Sequence, residues 1–219
     1  MKRWIVRFFC ISIAAAGFVL AVTTKNAYSS DKEPRLAQVK MDQLNDQQKA
    51  FADEILKVSS NGISGPYNSM MRSPDMGQRM LKLLDYLRFH TSLPRRLNEF
   101  AILIQARLLT SQVEWNAHDK LAKKEGLSDA VIADLKEGKR PASMQPDEAA
   151  VYDFSMELFT RHEVSDATYK KFREIFTEQQ VVDLVTLNGI YDTLASMLKV
   201  AENDVPPGGV PVLQPLPGH

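Results

Sequence analysis

The sequence predicts an all-α protein, and three observations support this. Apolar residues recur at intervals of three and four from about residue 46 to residue 200. Residues that cap helices, together with Gly and Pro, divide that stretch into segments of helical length. No segment alternates apolar and polar residues as a half-buried strand does. We therefore expect one helical domain over residues 45–203.

Composition limits the classes of function. The chain has 219 residues, of which 44% are apolar, and this is enough to bury one hydrophobic core. Lys and Arg total 27, and so do Asp and Glu. A balanced chain lacks the basic surface that holds a nucleic-acid backbone, so nucleic acid is not an expected partner.

Residues 1–29 are typical of an export signal. Three basic residues precede an apolar run from Phe8 to Val22, and Ala27 and Ser29 supply the small residues of a cleavage site. The run is short for a membrane span, which needs about 20 residues, so an uncleaved membrane anchor is the less favoured alternative. We expect a mature protein that is periplasmic or secreted and starts near Ser30.

The position of the cysteine restricts the chemistry. Cys10 is the only cysteine of the chain and lies inside the predicted signal. Cleavage would leave no thiol, which excludes a disulfide or a CxxC pair in the mature protein.

The predicted helices follow a polar linker at residues 30–44. The first runs from about Asp46 to Val58 and ends in a loop rich in Gly that closes with Pro66. The second has Ser73 as its cap and a proline at its first position. The third starts at Pro94 and reaches Leu109.

The fourth helix spans about Ser111 to Glu125 and stops at a glycine, and the fifth is short, running from Ser128 to about Gly138. Three more helices complete the domain: Asp147–His162, Ser165–Phe176 and Thr177–Val200. The last of these is apolar nearly all round, so we expect it to be central or to lie at a subunit interface.

The tail, residues 204–219, holds five of the eleven prolines. It is predicted to be extended and to be able to lie on a neighbouring subunit. With the apolar last helix, this predicts a homo-oligomer.

Polar side chains fall where apolar ones are expected on two helices. On the fourth helix, at about 100° per residue, Ser111, Glu114 and His118 lie within the apolar arc beside Trp115. On the third helix, Glu99 is flanked by apolar side chains. An unpaired buried carboxylate is costly or takes up a proton, so two carboxylates and an imidazole indicate one shared polar site. Enzymes use such clusters as general acids and bases near neutral pH.

Other interpretations stay open at this level. Glu114 and His118 could form a satisfied pair on one helix, and Glu99 could pair with Arg96 or Arg107. Glu-x-x-x-His also offers two metal ligands, but the Glu-x-x-His repeats of di-iron bundles are absent, so no metal or cofactor is expected. Alternatively, Arg96 could bind an acidic substrate.

Four segments carry a resemblance to a known family. They run over residues 92–103, 106–107, 111–118 and 122–128, and include the sequence EW-x-x-H. Together they resemble the carboxymuconolactone decarboxylase family of the alkylhydroperoxidase D-like superfamily, with weaker similarity over about residues 65–207. The resemblance implies a bundle of about seven to eight helices, assembled as a trimer or hexamer, with the site at or near a subunit interface.

The resemblance also bears on the chemistry. In the thiol-dependent branch of the superfamily two cysteines lie on the helix of the histidine, and they fall on Ser111 and Glu114 here. The Glu and His of that branch's proton relay match Glu99 and His118. The resemblance therefore implies the cysteine-free branch, which removes carbon dioxide from a carboxylated lactone without metal or organic cofactor.

These observations predict a cofactor-independent acid–base enzyme that acts on a small carboxylated lactone or keto acid. The expected catalytic residues are His118, Glu99 and Glu114, and the expected substrate-binding residues are Arg96, Ser111 and Trp115. The alternatives are a non-catalytic exported oligomer that binds a small acid or supports an envelope complex, and a peroxidase, which the missing cysteines disfavour.

Overall fold

The computed structural model describes residues 33–59, 62–204 and 211–216, so the predicted signal lies outside the described residues. Within them the chain forms nine α-helices and one short 3-10 turn, with no strand, which confirms the all-α prediction. The helices are α1 (Asp46–Val58), α2 (Pro66–Met70), α3 (Pro74–Phe89), α4 (Arg95–Leu108), α5 (Gln112–Lys124), α6 (Asp129–Lys136), α7 (Pro146–Arg161), α8 (Asp166–Arg173) and α9 (Glu178–Ala201).

All eight predicted helices are present, with ends shifted by a few residues at most. The prediction missed α2, because Gly65-Pro66 reads as the end of a loop. Gly65 has a positive φ of 60°, which turns the chain sharply, and Pro66 then occupies the first position of a helix, where its missing N–H costs nothing.

The apolar helix α9 lies at the centre of the domain. It packs against α2, α3 and α4, and Leu184, Leu187 and Leu198 are fully buried. By length and composition α9 could cross a membrane, but half of its apolar window is buried within the domain. Packing against three helices accounts for its composition. Its remaining face is open, with Val182 63% exposed.

The end of the chain returns to the start of α5. Asp204 accepts hydrogen bonds from the Ser111 hydroxyl at 2.9 Å and from the backbone N–H groups of Gln112 and Val113 at 3.1 and 3.2 Å. Lys199 donates to the same carboxylate at 2.8 Å. Asp204 therefore caps the helix that carries Glu114 and His118.

The tail binds its own chain where it is described. The side chain of Gln112 accepts from the backbone N–H groups of Val212 and Leu213 and donates to the Leu213 carbonyl. Leu213 is 1% exposed. Residues 212 and 213 are thus held on their own chain by Gln112, a contact that local sequence does not reveal.

Gly77→Ala is expected to lower the free energy of unfolding by up to about 2 kcal/mol. The added methyl group would overlap the ring of Phe51, which is fully buried and cannot move aside. Overpacking costs about 1–3 kcal/mol, whereas the gain in helix propensity is about 1 kcal/mol.

Urea denaturation measures this effect. Gly189→Ala is the matched control, because Gly189 is also helical but no described atom lies within 4 Å of its added methyl group. The control should be neutral or slightly stabilising. Equal effects of the two substitutions would contradict the close packing of α1 and α3.

Candidate functional site

Glu99 and His118 meet between the packed helices α4 and α5. Nδ1 of His118 lies 2.6 Å from Oε2 of Glu99, and the two side chains are only 6% and 3% exposed. This distance requires a proton between the two atoms. When that proton is on Nδ1, the Glu99 carboxylate fixes the ring and leaves Nε2 for proton exchange. The contact confirms the facing that helix periodicity predicts for these two residues.

Glu114 lies on the other side of the same imidazole ring. Its Oε2 is 3.7 Å from Nε2 of His118, which is too long for a hydrogen bond. Its Oε1 is buried and has no hydrogen-bond partner among the described residues. Burial raises the pKa of Glu114 to about 7, against the lowering effect of His118; Asp204 raises it further and Arg88 lowers it. Glu114 can therefore gain or lose a proton near neutral pH.

The partners of Glu99 and Glu114 differ from the arginine and helix pairs that the sequence left open. Glu99 pairs with His118, whereas Arg107 donates to Thr110 at 3.3 Å. Glu114 has one orphaned oxygen, so it does not form a satisfied pair with His118. The carboxylates thus face the imidazole from two sides.

Two aromatic residues and a cation extend this cluster. The ring of Tyr191 on α9 meets the His118 ring edge-on, with 5.1 Å between centroids. Burial raises the pKa of Tyr191 well above its ordinary value, so its phenol stays protonated. Arg88 on α3 and Tyr67 on α2 interact electrostatically with Glu114, and Arg88 also interacts with Glu99.

Arg96, the predicted substrate-binding arginine, is paired within the chain. Its guanidinium donates to Asp147 at 2.7 Å and also to the buried Glu148, both at the start of α7. This double ion pair connects α4 to α7.

Ser111 and Trp115 are also occupied elsewhere. Ser111 is fully buried and donates to Asp204 at the cap of α5. Trp115 is 2% exposed and belongs to the hydrophobic core. Trp115 is not among the residues that line the cavity between α2 and α3.

A cavity of about 190 Å³ opens between α2 and α3. Tyr67 and Arg88 line it together with apolar residues, which are Val58, Leu81, Leu84 and Phe89. Tyr67 and Arg88 both interact electrostatically with Glu114, although the described lining of the cavity does not include Glu99, Glu114 or His118. Among the described residues, no group of three or more His, Cys, Asp or Glu side chains is placed to hold a metal ion.

Sequence reasoning missed Arg88, Tyr67 and Tyr191 as site residues. Tyr191 lies in a helix that is apolar all round, where an aromatic residue indicates core packing. Tyr67 lies in α2, the helix that the sequence prediction missed. Arg88 belongs to the segment Leu87-Arg88-Phe89, which lies within the weaker similarity to the superfamily. That similarity is the sequence feature that could have identified Arg88 as a site residue.

Comparisons with known proteins identify the fold. No protein-family model matches the chain, and no curated protein matches it. Solved structures with a similar fold include an uncharacterised peroxidase-related protein from Ralstonia eutropha, described as an alkylhydroperoxidase AhpD core. It has a TM-score of 0.66 and 16% identity, over 78% of this chain and 91% of that chain.

A second structure is a protein of unknown function from Agrobacterium tumefaciens, described as a putative antioxidant defence protein AhpD. It has a TM-score of 0.56 and 16% identity, over 64% of this chain and 96% of that chain. At such identity the likeness shows the fold alone. The chain has the alkylhydroperoxidase D-like fold, as the resemblance in its sequence implies.

Proposed function

We propose that this protein is a cofactor-independent acid–base enzyme that decarboxylates a small carboxylated lactone or keto acid. The observation that carries the proposal is the buried 2.6 Å contact between Glu99 and His118, with Glu114 on the opposite side of the ring. Such a cluster supplies a general acid and a general base near pH 7.

Each residue has a role in this reaction. The bond between the substrate carbon and its carboxylate breaks, carbon dioxide leaves, and the electron pair is delocalised onto the neighbouring carbonyl as an enolate. Nε2 of His118 protonates the carbon, while Glu99 holds Nδ1 and stabilises the imidazolium form. Glu114, whose pKa is about 7, returns a proton to the ring through a water molecule that bridges the 3.7 Å separation, and solvent then supplies the proton that each turnover consumes.

A thiol peroxidase is the competing enzyme class, because the similar structures are described as peroxidase-related and antioxidant. The descriptions 'peroxidase-related' and 'antioxidant' apply to those two proteins. In this chain the positions that match the thiol branch hold Ser111 and Glu114, and its one cysteine, Cys10, lies outside the described residues. The acid–base chemistry is therefore the better supported proposal.

A screen of the protein starting at Ser30 against lactone and keto carboxylates tests the proposal, with release of carbon dioxide as the readout. A second assay tests the thiol peroxidase alternative. It measures the consumption of a hydroperoxide in the presence of a dithiol reductant. We expect carbon dioxide from at least one acid, and none from that acid with the His118→Gln variant. Hydroperoxide consumption without decarboxylation would contradict the proposal. Binding of an acid without any release would favour the non-catalytic alternative.

We also propose that the protein is a homo-oligomer of three or six subunits. The support is the apolar surface that α3 and α9 leave open, with Leu83 41%, Val182 63% and Val185 39% exposed. Light scattering at micromolar concentration is expected to give a mass of three or six chains. A stable monomer would count against this assembly.

The location in the periplasm or outside the cell is likewise our proposal, supported by the signal-like residues 1–29. N-terminal sequencing of the protein from its host should begin near Ser30. Recovery of the full-length chain from the inner membrane would contradict it.

A further inference from the structure

Arg88 is half-buried and differs from Arg96, which is also half-buried, in having no acceptor among the described residues. No described residue forms an ion pair or hydrogen bond with its guanidinium, and its Nε is buried without a partner. Its guanidinium lies over the ring of Phe89, 4.8 Å from the centroid. By contrast, Arg96 is held by two carboxylates. A half-buried guanidinium whose Nε is buried without an acceptor is costly, so such a group indicates a place for an anion.

We propose that Arg88 and Tyr67 bind the carboxylate of a small cyclic monocarboxylic acid whose apolar body fills the cavity between α2 and α3. This inference rests on the proposed function, because it names the substrate class and the anion-binding residue of the same site.

The donors suit a carboxylate. A guanidinium presents paired N–H groups that match two carboxylate oxygens, and the phenol of Tyr67 adds one O–H donor on the same wall. Burial raises the pKa of Tyr67, so this O–H remains in place at neutral pH. Lys82 and Asp85 also line the cavity, and the Asp85 carboxylate lies 3.2 Å from Nε2 of His90. The lining thus has two cationic side chains, Arg88 and Lys82, and one carboxylate.

The charge of the cluster points the same way. Glu99 and Glu114 interact with Arg88 electrostatically, but among the described residues neither carboxylate forms an ion pair with the Arg88 guanidinium. One substrate carboxylate neutralises it and favours the protonated form of Glu114, which is the form that can return a proton to His118.

The size of the cavity limits the ligand. A cavity of about 150 Å³ is known to hold benzene, so 190 Å³ accommodates a five- or six-membered ring with one small substituent. The aliphatic walls from Leu81 and Leu84 favour an apolar ring. Large nucleotide or peptide ligands do not fit this space.

Binding of benzoate, with benzamide as its neutral counterpart, tests the inference by calorimetry on the protein starting at Ser30. We expect benzoate to bind and benzamide to bind at least about tenfold more weakly, because a charge-assisted hydrogen bond contributes about 1.5–3 kcal/mol. Arg88→Gln should weaken benzoate binding by about tenfold or more. Arg95→Gln is the matched control, since Arg95 lies over the same Phe89 ring at 4.9 Å but is paired with Glu125 outside the cavity.

Equal binding of benzoate and benzamide, no binding of benzoate, or equal losses in the two arginine variants would overturn the inference. If Arg88→Gln does not fold, the wild-type protein labelled with ¹⁵N-arginine gives the answer. Benzoate should then shift the Arg88 Nε signal and leave that of Arg95 in place; an unmoved Arg88 signal would overturn it.

The same titration separates this inference from the proposed function. His118→Gln should still bind benzoate, because the carboxylate contacts Arg88 and Tyr67. Arg88-dependent binding in a protein that decarboxylates no acid would support the anion site and overturn the enzymatic proposal alone.

Discussion

The His118→Gln and Glu99→Gln variants are each expected to lose turnover by about 100-fold or more, with the fold retained. Glutamine keeps the approximate shape of both side chains but removes proton transfer at His118 and the fixed negative partner at Glu99. General acid–base catalysis contributes about 10²–10⁴-fold, so loss of either partner should remove a factor of that size. The measurement is kcat at neutral pH on the substrate that the screen identifies.

His90→Gln is the matched control for this experiment. His90 also lies beside a carboxylate, Asp85, at 3.2 Å, but its side chain is 62% exposed. The control should turn over like the wild type. Should His118→Gln and Glu99→Gln do the same, the buried pair is structural, and a non-catalytic binding protein becomes the better interpretation.

The Glu114→Gln variant is expected to be more stable than the wild type above neutral pH, by about 3 kcal/mol. Burial raises the pKa of Glu114 from 4.5 to about 7 in the folded chain. Between about pH 4.5 and pH 7 the folded chain therefore binds more protons than the unfolded chain. The stability that Glu114 contributes is therefore fully present below about pH 4.5 and is lost as the pH rises through 7. Glutamine removes this loss because it does not ionise.

Urea denaturation at a series of pH values measures the difference between variant and wild type. The difference should be small near pH 4.5 and grow up to pH 7 and slightly beyond. Glu157→Gln is the control of opposite sign. Hydrogen bonds from the Ser165 backbone and the Thr168 hydroxyl lower the pKa of Glu157, so its substitution should destabilise the protein, and more so as the pH rises from acid. A Glu114→Gln difference that does not change with pH would contradict the burial of an ionisable carboxyl.

The acid–base cluster could be predicted from sequence because it depends on local geometry. The rotation of about 100° per residue decides which side of a helix a residue faces, and this placed Glu99, Glu114 and His118 together once α4 and α5 packed. No knowledge of distant residues was needed. The same reasoning recovered eight helices, since their caps and prolines are local signals.

The substrate-binding residues could not be predicted in this way, because their partners are distant in sequence. Arg96 is taken by Asp147 and Glu148, about fifty residues away, and Ser111 by Asp204, at the far end of the chain. Arg88 shows the reverse case. Its sequence position gives no sign that it lacks a partner, and only the packing of α2 and α3 leaves it facing a cavity.

The capping contact of Asp204 also links the end of the chain to the chemistry of the site. Its carboxylate holds the first turn of α5, and its charge adds to the raised pKa of Glu114. The residues after α9 thus contribute to the electrostatics of the site through one side chain.

The most direct test of a buried cluster that exchanges protons near neutral pH is an NMR titration of the Glu114 carboxyl carbon. Protein labelled with ¹³C-glutamate is titrated without ligand, and the Glu114→Gln variant identifies the signal. The account predicts a midpoint of about 7 for this signal. A midpoint near the ordinary value of 4.5 would mean that Glu114 is solvated, and would contradict the site as described.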